Sequence, residues 1–289
     1  MEFRKITADE LDFVPPVCLD PSVGRRGREA MREHMENRLK WLRKMMAQGL
    51  GIIVALENPK SEVLHYPWAG NIQHADLAVK GKVPKGLIEY LPIETALEPV
   101  KGEKSLFIDC IWILPPFWKT GVAKGLMHHL IEEAGKWGGA TVLAYEDDKW
   151  FGTSIKYMPS SFFMKFGFRE VSRDETRVLL HLDLGAHKSP MLVLPKKRVA
   201  GEKGKTVMDV FCNSQCPWCG RMVNKIRRNI RKYPDVTLNV INTDRKDTIE
   251  EFGMARGICI NGEPVITRMA SWKEIKSALD RFTKRNVHS

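Results

Sequence analysis

No stretch of the 289 residues approaches the roughly 20 consecutive apolar positions that a bilayer-spanning helix needs, so no membrane partner is expected. The opening residues, MEFRKITADELDF, are charged and lack the apolar core of a secretory signal; the cytoplasm is the expected location. Cysteine is scarce, with six residues: Cys18, Cys110, Cys212, Cys216, Cys219 and Cys259. A secreted disulfide scaffold would be shorter and denser in cysteine. Three of the six fall within eight residues, and in a reducing compartment such a cluster reads as redox or metal chemistry. Acidic residues are also in deficit, 35 against 46 Lys and Arg, for a formal charge of +11. The excess is concentrated late: residues 205–289 hold 16 Lys and Arg against 9 Asp and Glu. Nucleic acid or an acidic ligand would suit that surface. It lacks interleaved aromatics and a recognised binding motif, however, so a solvated basic face is expected and a nucleic-acid partner is not.

The chain is long enough for two domains, and 43% apolar residues suffice for two cores. FRKIT reads as a first strand. A helix is expected from about Arg26 to Ala47, with Met31, Met35, Leu39, Leu42 and Met46 at helical spacing. GIIVALE reads as a buried strand. Pro59, Pro67, Gly70, Gly81 and Pro84 then break any regular element, so 58–85 reads as a long surface loop or lid. GLIEYLPIE and SLFIDCIWILP are strands, the second almost wholly apolar and therefore central. A helix with Val122, Leu126, Leu130 and Ala134 on its buried stripe follows, then the strand ATVLAYE. A short helix near Ser160–Phe166 and the strands FREVS and RVLLHLDL close this part. Residues 185–205, rich in Lys, Gly and Pro, read as a linker. After it come VMDVFC, a basic amphipathic helix with Val223, Ile226 and Ile230 inward, VTLNVINTD, TIEEFGMA, a hairpin across Asn261-Gly262, and WKEIKSALDRF.

The segment from Cys110 to Lys124 carries the main chemical signal. A buried strand runs into a loop containing Gly121, and the loop opens directly into a helix. A helix N-terminus offers unpaired backbone N–H groups and partial positive charge, which together hold phosphate. Gly121 and Ala123 let a pyrophosphate approach the backbone, and Lys119 and Lys124 add charge.

Trp118-Lys119-Thr120-Gly121-Val122-Ala123 resembles motif A of the GNAT acetyltransferases, R/Q-x-x-G-x-G/A, with Trp118 where the family has Arg or Gln. FFMKFGFREV resembles the family's late Y-E-K-x-G-F stretch, with Lys165, Gly167 and Phe168 in place. The whole chain resembles GNAT proteins that carry a YoaP-like C-terminal domain. The resemblance implies an α/β (α+β) chain: a mixed sheet with flanking helices over 1–184 and a smaller domain over 206–289. It implies acetyl-CoA as cosubstrate and an amine acceptor, a small molecule or a peptide. Backbone contacts to the pantetheine and thioester would come from Ile111, Trp112 and Ile113, and the pyrophosphate would lie over Trp118 to Lys124. The family's usual acid is the Tyr of Y-E-K-x-G-F. Phe163 stands there and cannot donate a proton, so Tyr157 or water is the candidate replacement. For the base, Asp109 is the foremost candidate, since a carboxylate on a central apolar strand needs a role or a partner. Glu146, Asp147 and Asp148, at the end of the next strand, read as solvated or structural.

Cys216-Pro217-Trp218-Cys219 follows a strand and begins a helix, as in thioredoxin-fold proteins, and the order β-α-β-α-β-β-α agrees. The helix N-terminus, with Arg221 and Lys225, is expected to depress the pKa of at least one of these redox candidates. The proline that usually precedes the third strand of that fold is replaced by Arg256-Gly257, so weak general disulfide reductase activity is expected. Three or four thiolates could instead bind a soft metal. C-x3-C-x2-C also matches the radical SAM pattern, but too few residues are available for that barrel. The reading is an acetyl-CoA-dependent N-acetyltransferase with a thioredoxin-like appendage. The alternative is a non-catalytic acyl-CoA-binding protein responsive to thiols or metals.

Overall fold

The computed structural model describes residues 1–19, 23–66, 70–146, 157–185, 188–198 and 205–286. The chain enters through β1 (Glu2–Lys5), a short helix α1 (Val14–Cys18), the long helix α2 (Arg25–Met46) and β2 (Gly51–Glu57). Pro15 and Pro16 sit in the first turn of α1, where a missing N–H costs nothing. The stretch expected to be one irregular loop holds a hairpin, β3 (Val63–Tyr66) with β4 (Gly70–Gln73). Next come β5 (Val83–Pro92), β6 (Val100–Lys101), β7 (Leu106–Ile113), α3 (Val122–Ala134), β8 (Gly139–Tyr145), α4 (Ser160–Met164), β9 (Arg169–Arg173) and β10 (Arg177–Asp183). The later elements are β11 (Met191–Leu192), β12 (Thr206–Cys212), α5 (Pro217–Ile230), β13 (Val236–Asn242), α6 (Lys246–Phe252), β14 (Gly257–Ile260), β15 (Glu263–Ile266) and α7 (Trp272–Asn286).

Two main sheets form. The first has the order β1-β2-β5-β7-β8-β10-β9 and is antiparallel except between β7 and β8. The second has the order β13-β12-β14-β15, with β12 and β13 parallel and joined through α5. The stretch between them, expected to be a plain linker, is held by both. β11 pairs with β6, Val193 N–H donates to the Pro99 carbonyl (2.7 Å), and Lys196 N–H donates to the Phe252 carbonyl (3.1 Å).

Two features of the first sheet position the site. The parallel pairing of β7 with β8 stops at Ile108 and Val142, although β7 runs on to Ile113 and β8 to Tyr145. The two central strands therefore part in the middle of the sheet. At the same level the register of β7 against β5 slips: Cys110 faces Glu89, Ile108 faces Tyr90, and Asp109 is the extra residue. Along a regular strand Ile108 and Ile111 would face opposite ways. Here both enter the core that holds Val122, Leu126 and Leu130 of α3, because the bulge absorbs one residue. Asp109 and Cys110 are turned to the other face, where α2 lies.

Helix α2 buries Met31, Met35, Arg38, Trp41, Leu42 and Met45. The buried stripe is thus rotated from the one expected, with Leu39 and Met46 only half-buried. The rotation follows from Arg38, whose guanidinium pairs with Glu89 of β5 inside the protein.

Candidate functional site

The loop before α3 has the geometry of an anion cradle. Lys119 and Gly121 take left-handed backbone conformations, with φ of 63° and 87°. Gly121 is the N-cap of α3, and among the described residues no side chain caps the helix or claims the N–H groups of its first turn. A Cβ placed on Gly121 would meet no heavy atom within 4 Å, so the approach to the backbone is open. Lys119, Thr120 and Lys124 are exposed around it, while Val122 is buried and Ala123 half-buried beneath. Trp118 anchors the loop to the strand it leaves. Its indole Nε1 donates to the Ile113 carbonyl (2.8 Å), and its ring meets Trp112 edge to face at 6.4 Å. The Thr120 hydroxyl donates to the Phe117 carbonyl (2.7 Å).

From this loop the parted edges of β7 and β8 lead to Asp109 and Cys110. Asp109 is buried, and its Oδ2 has no hydrogen-bond partner among the described residues. Burial pushes its carboxyl up to about 8; Glu98 and Glu89 push the same way, while Arg256 and Arg38 oppose them. A carboxyl so placed can take a proton near neutral pH. The Tyr157 hydroxyl donates to Cys110 Sγ at 3.3 Å, and burial holds that phenol well above its ordinary range, so it stays a proton donor. Phe163 is fully buried against Phe162 and Phe168 and serves packing. Glu146 pairs with Arg173 at 2.8 Å on the surface. Asp147 and Asp148 lie outside the described residues.

The C-x-x-C segment comes to the same place. Cys216 is the N-cap of α5, with Pro217 in the first turn. The helix docks against α2 and α1: Trp218 Nε1 donates to the Cys18 carbonyl (3.1 Å), and Asn224 meets His34 at 2.9 Å. Gly220 permits this approach, since a Cβ there would lie 2.4 Å from His34 Nδ1. The expectation of a depressed thiol is overturned. Burial raises the Cys216 thiol despite the opposing charges of Arg256 and Arg38, and burial raises Cys219 further, with Cys212 adding to it. The helix terminus and the arginines are outweighed because another part of the chain covers the pair. Among the described residues no three His, Cys, Asp or Glu side chains are grouped so as to hold a metal. Gly220→Val should lever α5 away from α2, so that Cys216 is alkylated by iodoacetamide faster, on the order of tenfold for each pKa step recovered. Peptide mapping against the wild-type rate checks this.

The positions named from the sequence thus fall into two groups. Trp118 to Lys124 form the cradle. Tyr157 meets Cys110, the residue after Asp109, and lies near Cys216, with Ile111 and Ile113 on the α3 side of the sheet and Trp112 on the opposite side. Sequence reasoning missed Arg38, Glu89, Gln215 and Arg256, which surround Asp109.

The model of the acetyltransferase (GNAT) family matches residues 55–149, which include β7, the cradle and α3. A curated relative, the uncharacterized N-acetyltransferase YoaP of Bacillus subtilis (strain 168), is 27% identical over 158 residues, covering 51% of this chain and 58% of its own length. The chain therefore aligns with less than two thirds of that relative. Among solved structures, the PaiA N-acetyltransferase of Thermoplasma acidophilum in complex with coenzyme A has a TM-score of 0.37 at 14% identity, over 63% of this chain and 98% of that one. A GNAT family acetyltransferase of Brucella melitensis in complex with acetyl-CoA has a TM-score of 0.36 at 14% identity, over 65% and 90%. The mixed seven-stranded sheet with its flanking helices matches the GNAT fold.

Proposed function

We propose that this chain, with a GNAT domain within residues 1–184, is an acetyl-CoA-dependent N-acetyltransferase. The observation that carries the reading is the uncapped N-terminus of α3 beside Gly121, at the end of a strand that parts from its parallel neighbour. The cradle would take the pyrophosphate, and the pantetheine would run along the parted edge of β7 toward Asp109. There Asp109 takes the proton of the incoming ammonium, and the freed amine attacks the thioester carbonyl. Backbone N–H groups of β7 stabilise the developing oxyanion. As the carbon–sulfur bond breaks, Tyr157 gives its proton to the departing CoA thiolate, and the second proton released by the nitrogen restores the phenol.

The test is binding followed by turnover. Gly121→Glu should weaken acetyl-CoA binding by tenfold or more, since the side chain strains a left-handed position and sets a carboxylate where phosphate would lie. Calorimetry showing unchanged affinity would move the site elsewhere. Binding without transfer to any amine offered would favour the non-catalytic reading, to which Phe163 in the place of the family's acid lends some support.

For residues 206–289 the proposal is a thioredoxin-like domain with a redox, thiol-carrier or regulatory role. The parallel pair β12 and β13 joined through α5, the antiparallel β14 and β15, and Cys216 at the head of α5 support it. The closed, unactivated state of Cys216 and Cys219 argues against general disulfide exchange while the helix is docked.

A further inference from the structure

The side chain of Gln215, directly before the C-x-x-C pair, reaches into the first sheet. Its Nε2 donates to the Asp109 carbonyl at 3.2 Å, and its Oε1 accepts from Arg256 Nη2. Its own backbone carbonyl accepts from Arg38 Nη1. Gln215 is therefore fixed on three sides, and one of them is the bulge that aims Asp109. Arg256, at the start of β14, also crosses the boundary, with Nη1 2.6 Å from Glu98 Oε1. All of these residues are buried.

The charges here nearly cancel. Arg38 pairs with Glu89 and Arg256 pairs with Glu98, which leaves Asp109 as the fifth ionisable group, with no ion-pair partner among the described residues. The groups facing it are Glu89 from β5, Arg38 from α2, Glu98 from the turn before β6, and Arg256. Tyr145, Tyr157 and Cys216 are further neighbours of Arg256. An unpaired buried carboxyl is governed by its neighbours' charges, since little water screens them. One of the four groups facing Asp109, Arg256, comes from the segment that leads into β14, and Gln215 comes from the segment between β12 and α5.

We infer that Gln215 and Arg256 are positioning residues of the transferase site: Gln215 holds the bulge through the Asp109 carbonyl, and Arg256 holds Gln215 while setting a cation, paired with Glu98, beside it. The catalytic half of this inference rests on the reading of Asp109 as the base. The appended unit is then part of the acetylating machinery as well as a carrier of thiols. In the place where a thioredoxin-like surface would hold an incoming disulfide, Arg256 is committed to Glu98 and Gln215.

The test follows the protonation of Asp109 directly, by carbon-13 NMR of the full chain labelled at aspartate, with Asp109→Asn identifying the signal. Arg256→Gln should raise the Asp109 midpoint by about one pH unit, because a favourable charge is lost. Arg256→Lys should restore part of the shift. Glu98→Gln should move the midpoint the opposite way, because a repelling charge is removed and Arg256 is released. A merely structural role for these residues would not produce shifts of opposite sign. In parallel, acetyl transfer from acetyl-CoA to spermidine, an aminoglycoside and a short peptide amine is followed against pH by mass spectrometry. The rising limb of the rate should move with the NMR midpoint in each variant. An unchanged midpoint in folded Arg256→Gln and Glu98→Gln overturns the inference. A wild-type chain that acetylates none of the three acceptors counts against the transferase reading and leaves the NMR result to decide the positioning. Should Arg256→Gln fail to fold, Arg256→Lys and Glu98→Gln still give the sign.

Discussion

Asp109→Asn is expected to transfer acetyl groups about 10²–10⁴-fold more slowly than the wild type, the range for loss of a general base. The same variant should be the more stable protein at alkaline pH. The folded chain keeps a proton on Asp109 up to about pH 8, whereas an unfolded chain releases it near pH 4. Between those values the folded state binds the extra proton, so its stability falls as pH rises through the window. Asn carries no charge at any pH and escapes that loss. The gain should appear above about pH 4, grow toward pH 8, and reach on the order of a few kcal/mol. Urea unfolding at pH 5 and pH 9, set beside acetyl-transfer rates, checks both signs. Loss of activity with no stabilisation at pH 9 would mean that Asp109 is already ionised in the folded protein.

The second large effect concerns Arg38. Arg38→Met should destabilise the protein by roughly 3–5 kcal/mol, the cost of leaving a buried charge without its partner. Glu89 is fully buried, and its Oε2 already lacks a hydrogen bond among the described residues. The substitution also removes the donor to the Gln215 carbonyl, which ties α2 to the head of α5. Arg38→Met combined with Glu89→Leu should recover most of the loss, because apolar groups of similar volume can replace a buried pair. The single variant should suffer less in acid, where Glu89, its carboxyl already raised by burial, takes up a proton. Unfolding midpoints of the four proteins of this cycle, at pH 5 and pH 8, read both effects.

Much of this was legible in the sequence because its signals are local. The glycine loop, the apolar run of β7 and the C-x-x-C at the start of a helix are each written within a dozen residues, and β7, the turn at Gly121, α3 and α5 stand where they indicate. Asp109 could be singled out because a carboxylate on an apolar strand is anomalous. The bulge that aims it could not, since one extra residue leaves the apolar pattern of LFIDCIWI almost unchanged. Arg38 was hidden for the opposite reason: a charge in a helix reads as solvent-facing until its buried partner is known. Gln215 and Arg256 carry no local sign, because their partners lie far away in the chain. The Met31 to Met46 stripe was misjudged by part of a turn for the same cause, and the hairpin within 58–85 was masked by the glycines and prolines around it.

The hydrogen bond from Arg38 to Gln215 joins positions 177 residues apart. A ribosome adding roughly 5–20 residues per second takes on the order of ten to thirty-five seconds to cover that distance. Only the last 32 of those residues follow Asp183, where the first sheet ends, so that sheet stands beside the growing chain without Gln215 for roughly two to six seconds. The surroundings of Asp109 are therefore completed only after the strands of the first sheet have been made. A transcript truncated before Gln215 would leave a sheet with its strands in order and the Asp109 carbonyl without its donor.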